Sequence, residues 1–165
     1  MRGLFVLLSV LWAHAALAQG FALHDLTTIA GDARIALDRE SEVQAEAQHL
    51  ILTCSPCNGA PTVDLQLGRL TDGTEARVRS GKTSFGALES ICVRRNPDCR
   101  LTSLAAGPAI AWISVYALER GAGATAVVLR DGDLLTIEAR AATRGAAEDS
   151  VLHVAHAVLP RIVGP

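Results

Sequence analysis

Residues 109–139 read AIAWISVYALERGAGATAVVLRDGDLLTIEA, and this stretch decides the fold. Three runs of mostly β-favouring residues lie within it, and they are Ala109–Leu118, Thr125–Leu129 and Leu134–Ala139. The last two runs are joined through Asp131-Gly132, a pair that tolerates the positive φ of a tight hairpin turn. The stretch therefore predicts a three-stranded antiparallel meander. Ala109–Leu118 is apolar at positions that point to both faces, which is typical of a central strand.

A second β signal lies between Thr62 and Ser80. Apolar residues alternate with polar ones on both sides of Asp72-Gly73, and they are Val63, Leu65, Leu67, Ala76 and Val78. This period, together with the Asp-Gly pair, predicts a β-hairpin with one solvent-facing side. Upstream, His49–Thr53 is a compact β-favouring run and Ala33–Leu37 is a candidate first strand. Residues 41–48 are expected to form an extended or loop connection.

Two helices complete the expected fold. The residues from Phe85 to Cys92 follow helical spacing, and the turn signal Asn96-Pro97-Asp98 must end that helix. An apolar stripe predicts a second helix from Ala146 to Leu159, which Pro160 then closes. The predicted fold class is α+β: an antiparallel sheet, made of the hairpin and the meander, with the middle helix and the C-terminal helix on one face.

The N-terminus has the three parts of a secretory signal peptide. Its positive, apolar and small-residue parts are Arg2, Gly3–Leu11 and Ala16-Leu17-Ala18. A membrane anchor fits less well, because a spanning helix needs about 20 apolar residues and His14 interrupts the run. We predict cleavage between Ala18 and Gln19. The chain then consists of a signal peptide over residues 1–18 and a single exported domain over residues 19–165, located in the periplasm or outside the cell.

Composition excludes some classes of function. The chain has 15 Lys and Arg against 17 Asp and Glu, so its formal net charge is -2 and no basic surface for nucleic acid is expected. After the signal peptide, no apolar segment is long enough to span a bilayer. Aromatic residues make up only 4% of the sequence, which argues against a carbohydrate-binding platform.

Four cysteines follow the signal peptide, and they are Cys54, Cys57, Cys92 and Cys99. An even number of cysteines in an exported chain favours a disulfide-stabilised fold. Pairing Cys54 with Cys57 and Cys92 with Cys99 closes short loops, worth about 2 and 2.5 kcal/mol, whereas each crossed bond closes a longer loop worth roughly 4 kcal/mol. The turn after the middle helix favours the local pairing by bringing Cys99 back toward Cys92. The crossed pairings stay open at this point.

Two functional alternatives concern Cys54-Ser55-Pro56-Cys57. The C-x-x-C spacing supports thiol–disulfide exchange, but in thioredoxin-like folds a helix follows the motif and stabilises the thiolate. Here Asn58-Gly59-Ala60-Pro61 and then a strand follow. A zinc ribbon needs a second C-x-x-C motif, whereas six residues separate Cys92 from Cys99. We therefore expect structural disulfides, with no metal site and no cofactor.

The remaining candidates have simpler structural explanations. His153 and His156 have a spacing that can hold a metal ion on a helix, yet no further ligand can be placed beside them, and a solvated helix face accounts for both. Gly121–Ala124 joins two strands and opens no helix, so it lacks the amides of a phosphate-binding loop. Trp112 and Tyr116 share one face of their strand, where they are either core aromatics or part of an apolar ligand groove.

No acid, base and nucleophile converge in the sequence, so we predict no catalytic residue. The predicted function is that of a non-enzymatic accessory or binding module that acts after export. The alternative is thiol–disulfide exchange through Cys54 and Cys57. The expected partner is another protein of the cell envelope and not nucleic acid, and the sequence makes no prediction of the oligomeric state.

Overall fold

A seven-stranded antiparallel sheet organises residues 20–165, the part of the chain that this computed structural model describes. The strands are β1 (Glu42–Ala45), β2 (His49–Thr53), β3 (Thr62–Arg69), β4 (Arg100–Ser103), β5 (Ile110–Ala117), β6 (Ala122–Arg130) and β7 (Asp133–Ala141). Their order in the sheet is β1-β2-β3-β7-β6-β5-β4. The helices are a short 3-10 turn (Leu26–Ile29), α1 (Ala30–Leu37), α2 (Thr74–Arg79), α3 (Phe85–Arg95) and α4 (Arg144–Val163). The α+β class is confirmed. The predicted signal peptide and its cleavage site lie outside the described residues.

The meander of β5, β6 and β7 is confirmed, and its second turn shows why the sequence specified it. Asp131 and Gly132 both have positive φ, at 52° and 85°, which is the conformation that a tight hairpin turn between right-twisted strands requires. β5 is hydrogen-bonded on both sides, to β4 and to β6. The strand is therefore interior to the sheet, as its apolar character indicated.

The predicted hairpin around Asp72-Gly73 is wrong in its second half. β3 forms as expected, but its neighbours are β2 and β7, and the following residues form the short helix α2. Asp72 initiates that helix, because its carboxylate accepts hydrogen bonds from the backbone N–H and the hydroxyl of Thr74, at 2.9 and 3.0 Å. Glu75 and Arg79 then pair across one turn at 2.9 Å. The Asp72-Gly73 pair therefore precedes a helix and does not form a β-hairpin turn.

The predicted strand Ala33–Leu37 is also wrong, since these residues form the second half of α1. Leu26, Ile29 and Ala33 are fully buried, and their spacing of three and four residues places them on one helical face. This period was present in the sequence. The expected extended connection over residues 41–48 contains the exposed strand β1, which lies at the edge of the sheet.

The C-terminal helix is longer than predicted, because Pro160 lies inside α4 and does not close it. Ile162 and Val163 continue the buried face of the helix after the proline. The last carbonyl groups of a helix have no partner within it, and here the beginning of the described chain satisfies them. The N–H groups of Ala22 and Leu23 donate to the carbonyl of Ile162, at 2.8 and 3.2 Å.

The two predicted helices lie on opposite faces of the sheet, which corrects the expected arrangement on one face. α4 covers the face that carries the buried residues Ala111 and Ile113 of β5. Trp112 alternates with them and points to the other side, where its ring lies 6.5 Å from that of Phe85 at the start of α3. Among residues 20–165, no helix is both long and apolar enough to cross a membrane.

Candidate functional site

Polar side chains gather on the sheet face opposite α4, where β2, β3 and β7 run side by side. We call this surface the polar face, and its members are His49, Asp64, Gln66, Glu138 and Arg140. They share one side of the sheet because the register places Asp64 opposite Glu138 and Gln66 opposite His49. A cavity of about 280 Å³ opens there, lined by four of these residues together with Thr62.

Hydrogen bonds and ion pairs connect the polar face. Nε2 of His49 lies 3.0 Å from Oδ2 of Asp64, and the amide of Gln66 donates to Oδ1 of the same carboxylate at 3.0 Å. On the neighbouring strand, Nε of Arg140 donates to Oε1 of Glu138 at 2.8 Å. This hydrogen bond, and then the charge of Glu138, raise the pKa of Arg140 above its ordinary value. The guanidinium therefore stays charged at every physiological pH.

The unusual feature of the polar face is the pair formed by Asp64 and Glu138. These carboxylates occupy directly opposed positions on β3 and β7, and like charges at such positions destabilise a sheet. Each carboxylate also has a basic residue as its neighbour: His49 on β2 for Asp64, and Arg140, two residues further along β7, for Glu138. The polar face therefore places two opposed carboxylates between a histidine and an arginine.

Tyr116 borders the polar face. The register places Tyr116 opposite Gly123, and Gly123 in turn opposite Arg140. A Cβ atom on Gly123 would lie 2.7 Å from Cζ of the Tyr116 ring, so only glycine lets the ring lie across β6. The Tyr116 hydroxyl is 3.0 Å from that of Thr125. Tyr116 and Trp112 are both half-buried, so each is partly core and partly accessible surface.

The four cysteines form the two local pairs. The sulfur atoms of Cys54 and Cys57 are at disulfide-bonding distance, and the Cα atoms of this pair are 5.4 Å apart. The sulfur atoms of Cys92 and Cys99 are also at disulfide-bonding distance, and the Cα atoms of that pair are 5.8 Å apart. Cys92 lies on α3 and Cys99 directly precedes β4. The second bond therefore ties α3 to the edge of the sheet.

The corner around Cys57 differs from what the local sequence suggested, because a helix N-terminus does lie beside the C-x-x-C turn. The N–H of Ala142, just before α4, donates to the carbonyl of Gly59 at 2.9 Å. Ala146 in the first turn of α4 is so close that a Cβ on Gly59 would meet its methyl group at 2.6 Å. Cys57 and this first turn line one cavity of about 440 Å³. The helix comes from the far end of the chain.

The same corner contains a possible set of metal ligands. Among the described residues, a carboxylate oxygen of Asp38 and the sulfur atoms of Cys54 and Cys57 all lie within 4.8 Å of one another. Cys54 is fully buried, whereas Cys57 is partly exposed. Nothing in the local sequence pointed to Asp38, because it lies 16 residues before Cys54 and reaches it only through the fold.

The other candidates of the sequence do not form a site together. His153 and His156 are both exposed on α4, but His153 lines the cavity beside Cys57 and His156 lines a different, apolar groove of about 490 Å³ at the end of α4. Gly121 has a φ of 84° and leads directly into β6, so residues 121–124 are mostly strand.

Comparison with known proteins adds no family to this description. No protein-family model, no curated protein and no solved structure matches the chain.

Proposed function

We propose that the protein is an exported, non-enzymatic binding module that contacts another protein of the cell envelope through its polar face. The observation that carries this proposal is the opposed pair of carboxylates, Asp64 and Glu138, on a part of the sheet that none of the helices within residues 20–165 covers. Such a pair weakens the sheet, whereas a cation placed between the two groups would gain from both. Proteins retain a destabilising arrangement, such as this pair of carboxylates, mainly where it serves a function.

The charges define the chemistry of the partner. A basic side chain, a lysine or an arginine, fits between Asp64 and Glu138, and an acidic group beside it fits the guanidinium of Arg140. Arginine binds carboxylates with good geometry because its planar group offers several donors. The bordering ring of Tyr116 adds an apolar surface with a polar edge, a kind of side chain that is enriched at interfaces. The proposed partner surface therefore carries neighbouring basic and acidic groups.

Isosteric substitutions test this contact. Asp64→Asn and Glu138→Gln together remove the two negative charges and keep the size of each side chain, while Glu119→Gln changes an exposed carboxylate in the turn between β5 and β6 that is not a member of the polar face. After cross-linking in a cell-envelope fraction, we expect the wild type and the Glu119→Gln control to recover the same partner, identified by mass spectrometry. The double variant should lose that partner. Recovery of the uncross-linked monomer alone from the wild type would count against the proposal.

Export is the other half of the proposal. It is supported by the N-terminal signal pattern and by two cysteine pairs that form bonds in an oxidising compartment. Cell fractionation followed by intact-mass measurement tests it directly. We expect the mature chain to begin at Gln19 and to be found outside the cytoplasm. A full-length chain retained in the cytoplasm with four free thiols would contradict export.

A second candidate function, thiol–disulfide exchange, is favoured by the first turn of α4 beside Cys57. The N-terminus of a helix stabilises a thiolate, and Cys57 is the accessible sulfur of the pair. A substrate thiolate would attack Sγ of Cys57, break the bond to Cys54 and release Cys54 as the thiolate. A second substrate thiol would then free Cys57, so that the substrate is oxidised to a disulfide and the pair is reduced to two thiols.

The reduction potential of the Cys54–Cys57 bond distinguishes thiol–disulfide exchange from a purely structural role. Structural disulfides have potentials below about -300 mV, and exchange-active ones lie higher. We expect an exchange protein to show a Cys54–Cys57 potential well above that of Cys92–Cys99, which serves as the internal control. Equilibration with glutathione or dithiothreitol buffers and mass mapping of alkylated peptides measures both. Two equally low potentials would exclude the exchange function.

A further inference from the structure

We propose that reduction of the Cys54–Cys57 bond creates a binding site for a divalent cation of the zinc type, with Asp38 as the third protein ligand. The three ligand atoms already lie within 4.8 Å of one another. Around a tetrahedral zinc ion, two sulfur ligands at about 2.3 Å from the metal stand roughly 3.8 Å apart. The two sulfurs therefore need to separate only modestly once their bond is broken.

The chemistry of this change balances with a dithiol as reductant. The dithiol supplies two electrons and two protons, is itself oxidised to a disulfide, and converts the Cys54–Cys57 bond into two thiols. Metal binding then releases both protons, since the ligands are thiolates. The proposal requires only that the bond be reducible, and it depends neither on exchange activity nor on the polar face.

Rigid elements hold the ligands in place. Cys54 directly follows β2, and its N–H donates to the carbonyl of Pro61 at 3.0 Å. The turn after it is closed by the N–H of Ala60, which donates to the carbonyl of Cys57 at 2.9 Å. Asp38 caps the end of α1, where its N–H donates to the carbonyl of Arg34 at 2.9 Å. All three ligands are thus attached to hydrogen-bonded backbone.

The charges around the pair favour a bound cation. Asp38 lies beside both sulfurs, and the carboxylate of Asp149 lines the cavity that Cys57 opens into. Negative groups this close together attract a cation. A divalent cation bound here would be the largest local charge of the site.

Ser41 provides an independent indication that this corner has a second state. Ser41 is 5% exposed, yet its hydroxyl has no hydrogen-bond partner in the part of the chain that the structure describes. Ser41 directly precedes β1 and Cys54 directly follows β2, and the register of Glu42 opposite Thr53 sets them side by side. A buried hydroxyl normally has a partner. A thiolate on Cys54 would supply one, as an acceptor for the Ser41 hydroxyl.

The fourth coordination position faces the cavity beside the first turn of α4. This cavity of about 440 Å³ is also lined by His153, whose imidazole is a good zinc ligand. An alternative fourth ligand there is a water molecule. Either way the metal would be reached from solvent on the Cys57 side, while Cys54 stays in the core.

The experiment uses the full mature chain, reduced with a phosphine under anaerobic conditions and titrated with Co²⁺ and then with Zn²⁺. Thiolate ligation gives Co²⁺ an intense charge-transfer band. We expect one Co²⁺ per reduced chain, displaced by Zn²⁺, and none in the oxidised chain. Circular dichroism follows the fold throughout, and a reduced chain that unfolds and does not refold with Zn²⁺ would overturn the proposal.

Matched variants locate the site. The double variant Cys92→Ala/Cys99→Ala should keep the band, whereas Cys57→Ser should lose it. Asp38→Asn and Ser41→Ala should each weaken binding about tenfold or more, as loss of a ligand or of its supporting hydrogen bond does. Unchanged affinity in Asp38→Asn, or a band that depends on Cys92 and Cys99, would refute the assignment. A low reduction potential of the Cys54–Cys57 bond would exclude thiol–disulfide exchange but not the metal site, because the phosphine reduces this bond whatever its potential.

Discussion

The backbone N–H of Phe21 donates a hydrogen bond of 2.8 Å to Oδ2 of Asp133, although 112 positions separate the two residues. Asp133 begins β7, and its side chain is only 6% exposed. The carboxylate is also 2.8 Å from Nε2 of His24 and accepts from Nη1 of Arg69 at 2.9 Å. One buried carboxylate therefore fastens the beginning of the described chain to the middle of the sheet.

Replacing this carboxylate should cost considerable stability. Asp133→Asn keeps the size of the side chain but removes the charge, and hydrogen bonds to charged groups are worth about 1.5–3 kcal/mol. We expect the free energy of unfolding, measured by urea denaturation, to fall by about 2 kcal/mol. The neighbouring variant Asp131→Asn should change it by less than about 0.5 kcal/mol, since Asp131 is exposed. Equal effects of the two substitutions would contradict the anchoring role of Asp133.

Asp133 should also make stability depend on pH. Burial by itself raises the pKa of this carboxyl group, but the hydrogen bonds from His24 and Phe21 and the charges of His24 and Arg69 outweigh it and hold the pKa below 3.8. Its stabilising effect is therefore complete above that pH and is lost as the pH falls through the lower, folded value. Urea denaturation between neutral pH and strong acid should show the wild type converging on Asp133→Asn. A constant difference would refute this account.

The contact between Tyr116 and Gly123 predicts a strong effect of a single methyl group. Gly123→Ala places a Cβ against the tyrosine ring, and overpacking of this kind costs about 1–3 kcal/mol. Gly68→Ala on β3 is the matched control, because a Cβ there meets nothing within 4 Å. Denaturation of Gly123→Ala in a Tyr116→Ala background tests the cause, since the penalty should then largely disappear. A penalty that persists without the ring would place the strain elsewhere.

Removal of the Cys92–Cys99 bond should loosen one helix selectively. The bond closes a loop of eight residues, counted from Cys92 to Cys99, and we expect Cys92→Ala/Cys99→Ala to lose about 2.5 kcal/mol of unfolding free energy. No residue of α3 is fully buried, so the helix depends on this attachment. Hydrogen exchange should accelerate in α3 and β4 while the buried part of α4 stays protected relative to them. Uniform acceleration along the chain would contradict a local role.

Contacts between residues close together in the sequence were predictable, whereas contacts between distant residues were not. The meander was predictable because β6 and β7 are joined by two residues whose backbone preference selects the turn. The pairing of β3 with β7 was not predictable, because β7 begins more than sixty residues after β3 ends. No local signal in the sequence marks such a pairing. The segment nearest to β3 with alternating polar and apolar residues is typical of a strand partner, but it forms the helix α2.

The candidate sites were missed for the same physical reason. The alternation in β3 correctly predicted that Asp64 lies on an outer face, but only the pairing with β7 shows that Glu138 stands opposite it. That pairing also places Thr62 opposite Arg140, so the residues just before β3 lie next to those just after β7. This is how the first turn of α4 arrives beside Cys57. The residues that follow Cys57 along the chain therefore do not reveal this helix.

The hydrogen bonds between Ala22 and Leu23 and the carbonyl of Ile162 have a consequence for the order in which the molecule can be completed. Ala22 and Leu23 lie near the start of the described chain and Ile162 near its end, so these two hydrogen bonds can form only when almost the whole domain has been synthesised. They are therefore among the last contacts that synthesis permits, and loss of the final residues of α4 would leave the first described residues without this attachment.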